Sequence, residues 1–98
     1  GDARESVPLM PYVLWNRETG EVAAAVLRNV YDLEYYGAEW WETEEEAARA
    51  AASRPGWMPR PVDASRLKLF NVKLNNDSGR RLYWDEDGTI RIKTSSAE

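Results

Sequence analysis

The densest run of side chains that could do chemistry lies between Tyr31 and Glu46, where aromatic rings are interspersed with carboxylates. Seven acidic residues and no Lys or Arg occur from Asp32 to Glu46. Paired carboxylates are the acid and base of glycosidases, whereas Trp and Tyr are the side chains that anchor protein interfaces. Catalysis and recognition are therefore the two kinds of chemistry to weigh for this stretch.

Most kinds of catalytic site are disfavoured by the composition. The 98 residues include no Cys and no His, which removes cysteine nucleophiles, the usual catalytic base and the usual zinc ligands. The glycines stand singly at predicted turns, so no phosphate-binding loop is evident. The carboxylates of Glu44, Glu45 and Glu46 are predicted to face the start of a helix. We therefore predict a protein that is not an enzyme and takes no cofactor.

One short motif resembles part of a metal site. The run from Asp85 to Ile90 matches the middle of an EF-hand calcium loop, and Gly88 stands at the position of that loop's glycine. Tyr83 and Thr94 stand where the first ligand and the closing bidentate Glu would be. The motif is therefore predicted to be a hairpin turn closed by glycine, with no metal.

Recognition is favoured by the number of large rings. Five Trp and five Tyr exceed what one small core needs. Neighbouring side chains in a strand point to opposite faces of the sheet. One ring of the pair Tyr35-Tyr36 and one of the pair Trp40-Trp41 must therefore point away from the core, unless both faces of the sheet are covered. We predict a non-enzymatic binding, adaptor or inhibitor protein whose partner is a protein with a basic or mixed surface. The predicted partner-binding residues are Tyr35, Tyr36, Glu39, Trp40, Trp41, Glu42, Glu45 and Trp57.

The charge is divided unequally along the chain and supports an alternative. Residues 1–48 carry eleven acidic and three basic side chains, and residues 49–98 carry six acidic and ten basic ones. Basic and aromatic side chains on the later strands could bind single-stranded nucleic acid by charge and stacking. The net charge of −4 disfavours broad phosphate binding. The alternative nucleic-acid-binding residues are Lys68, Lys73, Arg80, Arg81, Tyr83, Arg91 and Lys93.

The order of predicted elements from Tyr12 to Ala52 is three strands followed by a helix that begins Thr-Glu-Glu-Glu-Ala. In this order alone it resembles the arm-type DNA-binding domains of phage integrases. That resemblance implies DNA binding by a basic, aromatic sheet, whereas the sheet predicted here is acidic.

Two interpretations of the first third of the chain are open. Asn16 and Gly20 predict a tight hairpin between Tyr12–Trp15 and Glu21–Leu27, with Gly20 at positive φ. Residues 19–36 also carry apolar side chains at helical spacing, between a possible N-cap and a possible C-cap. The turn residues favour the hairpin, and the three consecutive alanines favour the helix.

The clearest local signal is a capping box at Thr43, with Glu46 three residues later. It predicts a helix over 43–54, ended by Pro55-Gly56. Residues 55–65 contain three prolines and are predicted to form an extended connector. Alternating residues then predict strands at Leu67–Leu74, 80–84 and 89–94, joined as an antiparallel meander.

The sequence as a whole predicts one α+β domain over residues 9–94, with an antiparallel, hairpin-rich sheet of about five or six strands and one main helix packed on it. Residues 1–8 are predicted to be a flexible arm and 95–98 a flexible tail. No run of residues approaches a membrane span, so we expect a cytoplasmic protein without a membrane partner. The predicted core is Val13, Trp15, Val22, Val26, Leu33, Ala47, Ala51, Phe70, Val72, Leu82, Trp84, Ile90 and Ile92.

Overall fold

Six short strands and two helices follow one another in a computed structural model that describes residues 8–94. The α+β class is confirmed. The predicted arm (except Pro8) and tail lie outside the described residues. Neither helix in the described part of the chain is long and apolar enough to span a bilayer. The elements are β1 (Tyr12–Asn16), β2 (Ala24–Arg28), β3 (Glu34–Ala38), α1 (Glu44–Ala51), β4 (Trp57–Pro61), α2 (Ala64–Leu74), β5 (Arg80–Trp84) and β6 (Ile90–Thr94).

The strands form three antiparallel ladders of two strands each: β1 with β4, β2 with β3, and β5 with β6. The strand count agrees with the prediction, but the continuous sheet does not form. Each ladder is five residue pairs long, and isolated bridges at Tyr12–Trp41, Trp15–Val22 and Glu21–Tyr83 link strands β1 and β5 to residues outside the ladders.

The predicted turn over Asn16–Gly20 is confirmed, and the helix over 19–36 is wrong. The predicted pairing of the two flanking strands is only begun, by the Trp15–Val22 bridge, because β1 pairs with β4 and β2 pairs with β3. The Asn16 side chain accepts hydrogen bonds from the Glu18 and Thr19 amides, and Gly20 closes the turn at a φ of +85°. Because β2 then pairs residue by residue with β3, Ala24 and Ala25 lie in a strand rather than in a helix. Local turn chemistry thus decides against the helix that alanine alone would favour.

The helix predicted from Thr43 is confirmed. The Thr43 hydroxyl accepts from the Glu46 amide at 3.1 Å. The helix proper ends at Ala51, three residues before the predicted end, and Gly56 turns the chain at a φ of +90°.

The predicted extended connector over 55–65 is only partly confirmed: its middle, Trp57–Pro61, is strand β4, whereas its last two residues, Ala64 and Ser65, already belong to helix α2. Pro59 and Pro61 of β4 lie opposite Leu14 and Tyr12 of β1. The Tyr12 amide donates to the Trp41 carbonyl, and the Leu14 carbonyl accepts from the Ala23 amide, so both groups point away from β4. These are therefore non-hydrogen-bonded pairs, in which a proline removes no ladder bond.

The predicted strand Leu67–Leu74 is wrong, because this segment is most of helix α2. The Asp63 side chain accepts from the Arg66 amide at 2.7 Å and starts the helix. Leu67, Phe70 and Leu74 are buried at helical spacing, whereas Val72 is 66% exposed. The predicted meander therefore keeps only its last two strands, β5 and β6.

The interior consists of a main core and a small core. The main core includes Val13, Trp15, Val22, Phe70, Leu82 and Trp84 of the predicted set, and the small core includes Ala47. Ala51, Ile90 and Ile92 pack against these cores half-buried. Three predicted core residues are wrong, since Val26, Leu33 and Val72 are 59%, 63% and 66% exposed. The buried apolar side chains that the prediction missed are Pro11, Leu14, Ala23, Ala38, Val62, Leu67 and Leu74.

Candidate partner-binding cleft

Four of the eight predicted partner-binding residues line one concavity. Tyr35, Glu39, Trp40 and Trp41 surround a cavity of about 310 Å³, which we call the aromatic cleft. Its remaining lining residues are Leu27 and Arg28, which the sequence analysis did not select. Leu27 and Arg28 could not be recognised as cleft residues from the sequence, because their position beside Tyr35 depends on the register between β2 and β3.

The β2–β3 hairpin and the loop after it position the cleft. Leu27 lies directly opposite Tyr35 in the ladder, so the two side chains share one face. The loop is held at its start by the Glu39 amide, which donates to the Ala23 carbonyl at 2.9 Å. It is held at its end by Trp41, whose backbone exchanges two hydrogen bonds with Tyr12 at 2.8 and 2.9 Å. The backbone on both sides of Trp40 is therefore held in place by hydrogen bonds to neighbouring segments.

Both charged residues of the cleft have partners of opposite charge. The Oε1 atom of Glu39 lies 3.0 Å from the Nη1 atom of Arg54, and the Glu39 side chain is only 20% exposed. The guanidinium nitrogens of Arg28 lie 3.0 Å from a carboxylate oxygen of Asp32 and 3.2 Å from one of Glu34. Because one arginine is shared by two carboxylates, the β2–β3 side of the cleft has an excess of negative charge.

The other four predicted partner-binding residues do not line the cleft. Glu42 and Glu45 are exposed outside it, and Trp57 is half-buried against the small core. Tyr36 points to the opposite face of the hairpin, where its hydroxyl donates to the Arg80 carbonyl at 3.1 Å and accepts from Arg81 at 3.3 Å. Tyr36 and Trp57 thus have evident structural roles.

Tyr36 also lines a second groove of about 230 Å³, on the other face of the β2–β3 hairpin. Glu34, Asn76 and Ser78 contribute polar groups to this groove, and the exposed Val26 contributes an apolar one. The hairpin therefore has a concavity on each face.

The alternative nucleic-acid-binding residues are not gathered on one surface. Arg81, Tyr83, Arg91 and Lys93 share the outer face of the β5–β6 hairpin by alternation and register. The other three do not join them. Lys68 and Lys73 lie on helix α2 rather than on a neighbouring strand, and Arg80 points to the other face of β5.

The arginines of the β5–β6 face have acidic partners. Two nitrogens of Arg91 donate to Asp85 at 3.0 and 3.3 Å, and its guanidinium lies 5.1 Å from the ring centre of Tyr83. The hydrogen bond with Asp85 raises the pKa of Arg91. Arg81 approaches Glu21 at 3.9 Å. These pairs reduce the positive charge that the face offers to phosphate groups.

A cluster that the sequence analysis missed surrounds Arg60 of β4. Its guanidinium lies 3.5 Å from the ring centre of Trp84 and 4.8 Å from that of Trp15. It donates to the carbonyls of Trp84 and Asp85 at 3.0 and 3.1 Å. Burial lowers the pKa of Arg60, and the nearby Arg66 also lowers it, whereas Glu86 and Asp85 raise it. The cluster ties β4 to β5.

The turn between β5 and β6 has the predicted form, with Gly88 at a φ of +95° and its amide donating to the Asp85 carbonyl. Over residues 8–94, no group of three or more His, Cys, Asp or Glu side chains is arranged to hold a metal ion.

No protein-family model, curated protein or solved structure matches this chain.

Proposed function

We propose that this chain is a non-enzymatic binding protein, acting as an adaptor or inhibitor, that engages a protein partner through the aromatic cleft. The observation that carries the proposal is the convergence of three half-buried rings, those of Tyr35, Trp40 and Trp41, on one concavity of about 310 Å³. Half-buried rings bury further apolar area on association, and they lose little conformational entropy because they have few rotatable bonds.

The charge around the cleft supports a partner with a basic or mixed surface. Asp32 and Glu34 both form ion pairs with the single Arg28. Glu42 and Glu45, which follow the cleft residues in the sequence, are exposed. Carboxylates at the rim attract a basic surface at long range and raise the association rate. An Arg or Lys side chain of the partner that stacks on an indole face would contribute about 0.5–2 kcal/mol.

The test is capture of partners from an extract of the source cell by the immobilised protein and by two matched variants. Tyr35→Ser removes a half-buried ring from the cleft, and Tyr83→Ser removes a half-buried ring from the β5–β6 hairpin. We expect proteins retained by the wild type and by Tyr83→Ser to be lost with Tyr35→Ser. We also expect their retention to fall as salt rises, because rim charges are screened.

Circular dichroism of both variants establishes that each is folded before capture. If the wild type and Tyr35→Ser retain the same proteins in the same amounts, the cleft is not the binding site. Retention lost only with Tyr83→Ser would place the interface on the β5–β6 hairpin instead.

Nucleic-acid binding by the β5–β6 hairpin is a second candidate, because Arg81, Tyr83, Arg91 and Lys93 share its outer face. If this candidate holds, the protein is retained on heparin or single-stranded DNA at low salt, and Arg81→Glu and Lys93→Glu each elute earlier. A protein that passes through both columns unretained contradicts this second candidate.

A further inference from the structure

The outer edge of β3 is capped by side chains. The Tyr36 amide donates to the side-chain oxygen of Asn76 at 2.7 Å, and the Ala38 amide donates to that of Asn71 at 2.9 Å. Helix α2 and the residues after it therefore occupy the positions that another strand would take. These bonds also show that the Tyr36 and Ala38 amides point away from β2.

The outer edge of β2 has no such cap. Because Val26 and Ala24 lie opposite Tyr36 and Ala38, both form non-hydrogen-bonded pairs with β3. Their amides and carbonyls, and those of Arg28, point away from β3. Across residues 8–94 these three amides donate to no backbone or side-chain acceptor outside the ladder, and β2 pairs with no other strand.

The side chains at this edge provide little of the usual protection against strand pairing. Exposed edges are commonly guarded by free charges, prolines or bulges. Here Ala24 is small and Val26 is 59% exposed. The only charged residue of the strand, Arg28, has its guanidinium bound to Asp32 and Glu34. The edge is therefore apolar and open to a further strand.

The open edge is short at both ends. The Val22 amide donates to the Leu82 carbonyl at 2.9 Å, so β5 occupies the edge before Ala24. At the other end the chain turns at Asn29, whose amide donates to the Leu33 carbonyl at 3.0 Å. A partner strand must fit between these limits.

We propose that the β2 edge pairs with β2 of a second copy of this chain, antiparallel and about a two-fold axis at Leu27. This register places Val26 opposite Arg28 of the second copy, and Leu27 opposite its own equivalent. The two Val26–Arg28 pairs exchange about four backbone hydrogen bonds. The register sets no like charges directly opposite, and the pairing ends with Ala25 opposite Asn29 of the second copy, short of the position that Leu82 occupies.

The edge favours a second copy because it is complementary to itself, as a two-fold interface requires. The two ladders would join into one four-stranded sheet. Leu27 also lines the aromatic cleft, so the clefts of the two copies would meet at the axis. A contact of this size buries less than a standard interface, so the dimer is expected to be weak and dependent on concentration. This inference does not depend on the proposed function.

Sedimentation equilibrium over a range of about 10 μM to 1 mM tests the dimer, since weak interfaces dissociate in that range. We expect the average mass of the wild type to rise towards that of a dimer. Val26→Lys puts a lysine opposite Arg28 and should raise the dissociation constant by about tenfold or more. Val72→Lys is the matched control, because Val72 is similarly exposed on α2, and it should leave the dimer unchanged.

Amide hydrogen exchange of the wild type provides a second measurement that requires no variant. We expect the Val26 and Arg28 amides to gain protection as concentration rises, while the capped Tyr36 amide does not change. A monomer mass at every concentration overturns the proposal. So does concentration-independent protection of Val26, which would mean that the edge is covered within one chain.

Discussion

At the scale of single residues, Asp63 shows how one carboxylate starts a helix. It accepts hydrogen bonds from the Arg66 amide at 2.7 Å and from the Ser65 hydroxyl at 2.8 Å. Both bonds favour the ionised form, and they lower the pKa of Asp63, with the Arg66 amide as the largest cause. Protonation of this carboxylate therefore weakens the start of α2.

Asp63 is expected to contribute to acid sensitivity. Because its pKa is lower in the folded state than in the unfolded state, its contribution to stability is present above the unfolded pKa and is lost as pH falls through the folded pKa. In urea denaturation at pH 7 and at about pH 2.5, Asp63→Asn should lose less stability on acidification than the wild type. Asn caps helices as well as Asp, so the two proteins should be similar at pH 7.

A direct check is the titration of the Asp63 carboxyl followed by NMR. A pKa at or above about 3.9, the ordinary value for aspartate, would contradict the role assigned to its hydrogen bonds.

The two helix starts differ in how visible they are in the sequence. Thr43 and Glu46 are the two residue types of a capping box, so the sequence identified α1, and in the structure the Thr43 hydroxyl accepts from the Glu46 amide. Asp63 makes the same bond to the backbone, but Arg66 stands where the box requires Glu or Gln. The cap of α2 was therefore overlooked, and its apolar residues were assigned to a strand.

At the scale of elements, α2 and β3 approach closely because Gly37 has no side chain. A Cβ at Gly37 would lie 2.8 Å from the side-chain oxygen of Asn71 and 2.8 Å from the ring of Tyr35. The same Asn71 oxygen accepts from the amide of the buried Ala38 at 2.9 Å. One asparagine thus attaches the helix to the hairpin that forms the cleft.

Asn71→Ala is expected to destabilise the fold by about 1–3 kcal/mol, because it leaves a buried amide without an acceptor. Asn76→Gly is the control, since it uncaps the exposed Tyr36 amide, which water can solvate, and glycine tolerates the φ of +53° at this position. Urea denaturation at neutral pH measures the free energy of unfolding of both variants. Equal losses of stability in the two variants would contradict a special role for the buried amide.

Element types were predictable where turn and cap residues agreed with the apolar pattern, as at the turn over Asn16–Gly20 and in α1. The α2 segment failed because its pattern fits two periods. Phe70 and Leu74 recur in a strand that also includes Val72 and in a helix that also includes Leu67. Only the packing of the helix shows that Val72 faces solvent and Leu67 does not.

At the scale of the whole molecule, three separate ladders share one interior. The main core includes Val13 and Trp15 of β1, Phe70 of α2 and Trp84 of β5, with Phe70 and Trp84 in an edge-to-face contact at 5.2 Å. Arg60 of β4 adds hydrogen bonds to the end of β5. No ladder can bury its apolar face without the others, so we expect one folding unit.

Urea unfolding monitored by far-UV and by near-UV circular dichroism should therefore give coincident transitions. Arg60→Met should lower the midpoint without separating the two curves. It retains an apolar side chain against the indoles but removes two hydrogen bonds from a charged donor, each contributing about 1.5–3 kcal/mol. Two resolved transitions, with one ladder lost before the rest, would contradict a shared core.

The arrangement of the ladders was beyond the sequence. β1 pairs with β4 more than forty residues later in the chain, and nothing local to the prolines of β4 identifies that partner. The aromatic cleft was partly predictable, since Tyr35, Glu39, Trp40 and Trp41 are close in sequence. Leu27 and Arg28 enter it only through strand register, which sequence patterns specify weakly.

The five indoles divide into two environments, and this division makes the protein its own optical reporter. Trp15 and Trp84 are buried beside the Arg60 guanidinium, whereas Trp40, Trp41 and Trp57 are half-buried near the surface. Acrylamide should quench the emission of the second group and leave the first largely unaffected. A ligand seated over Trp40 and Trp41 would shield two of the three accessible fluorophores, so occupancy could be followed without any added label.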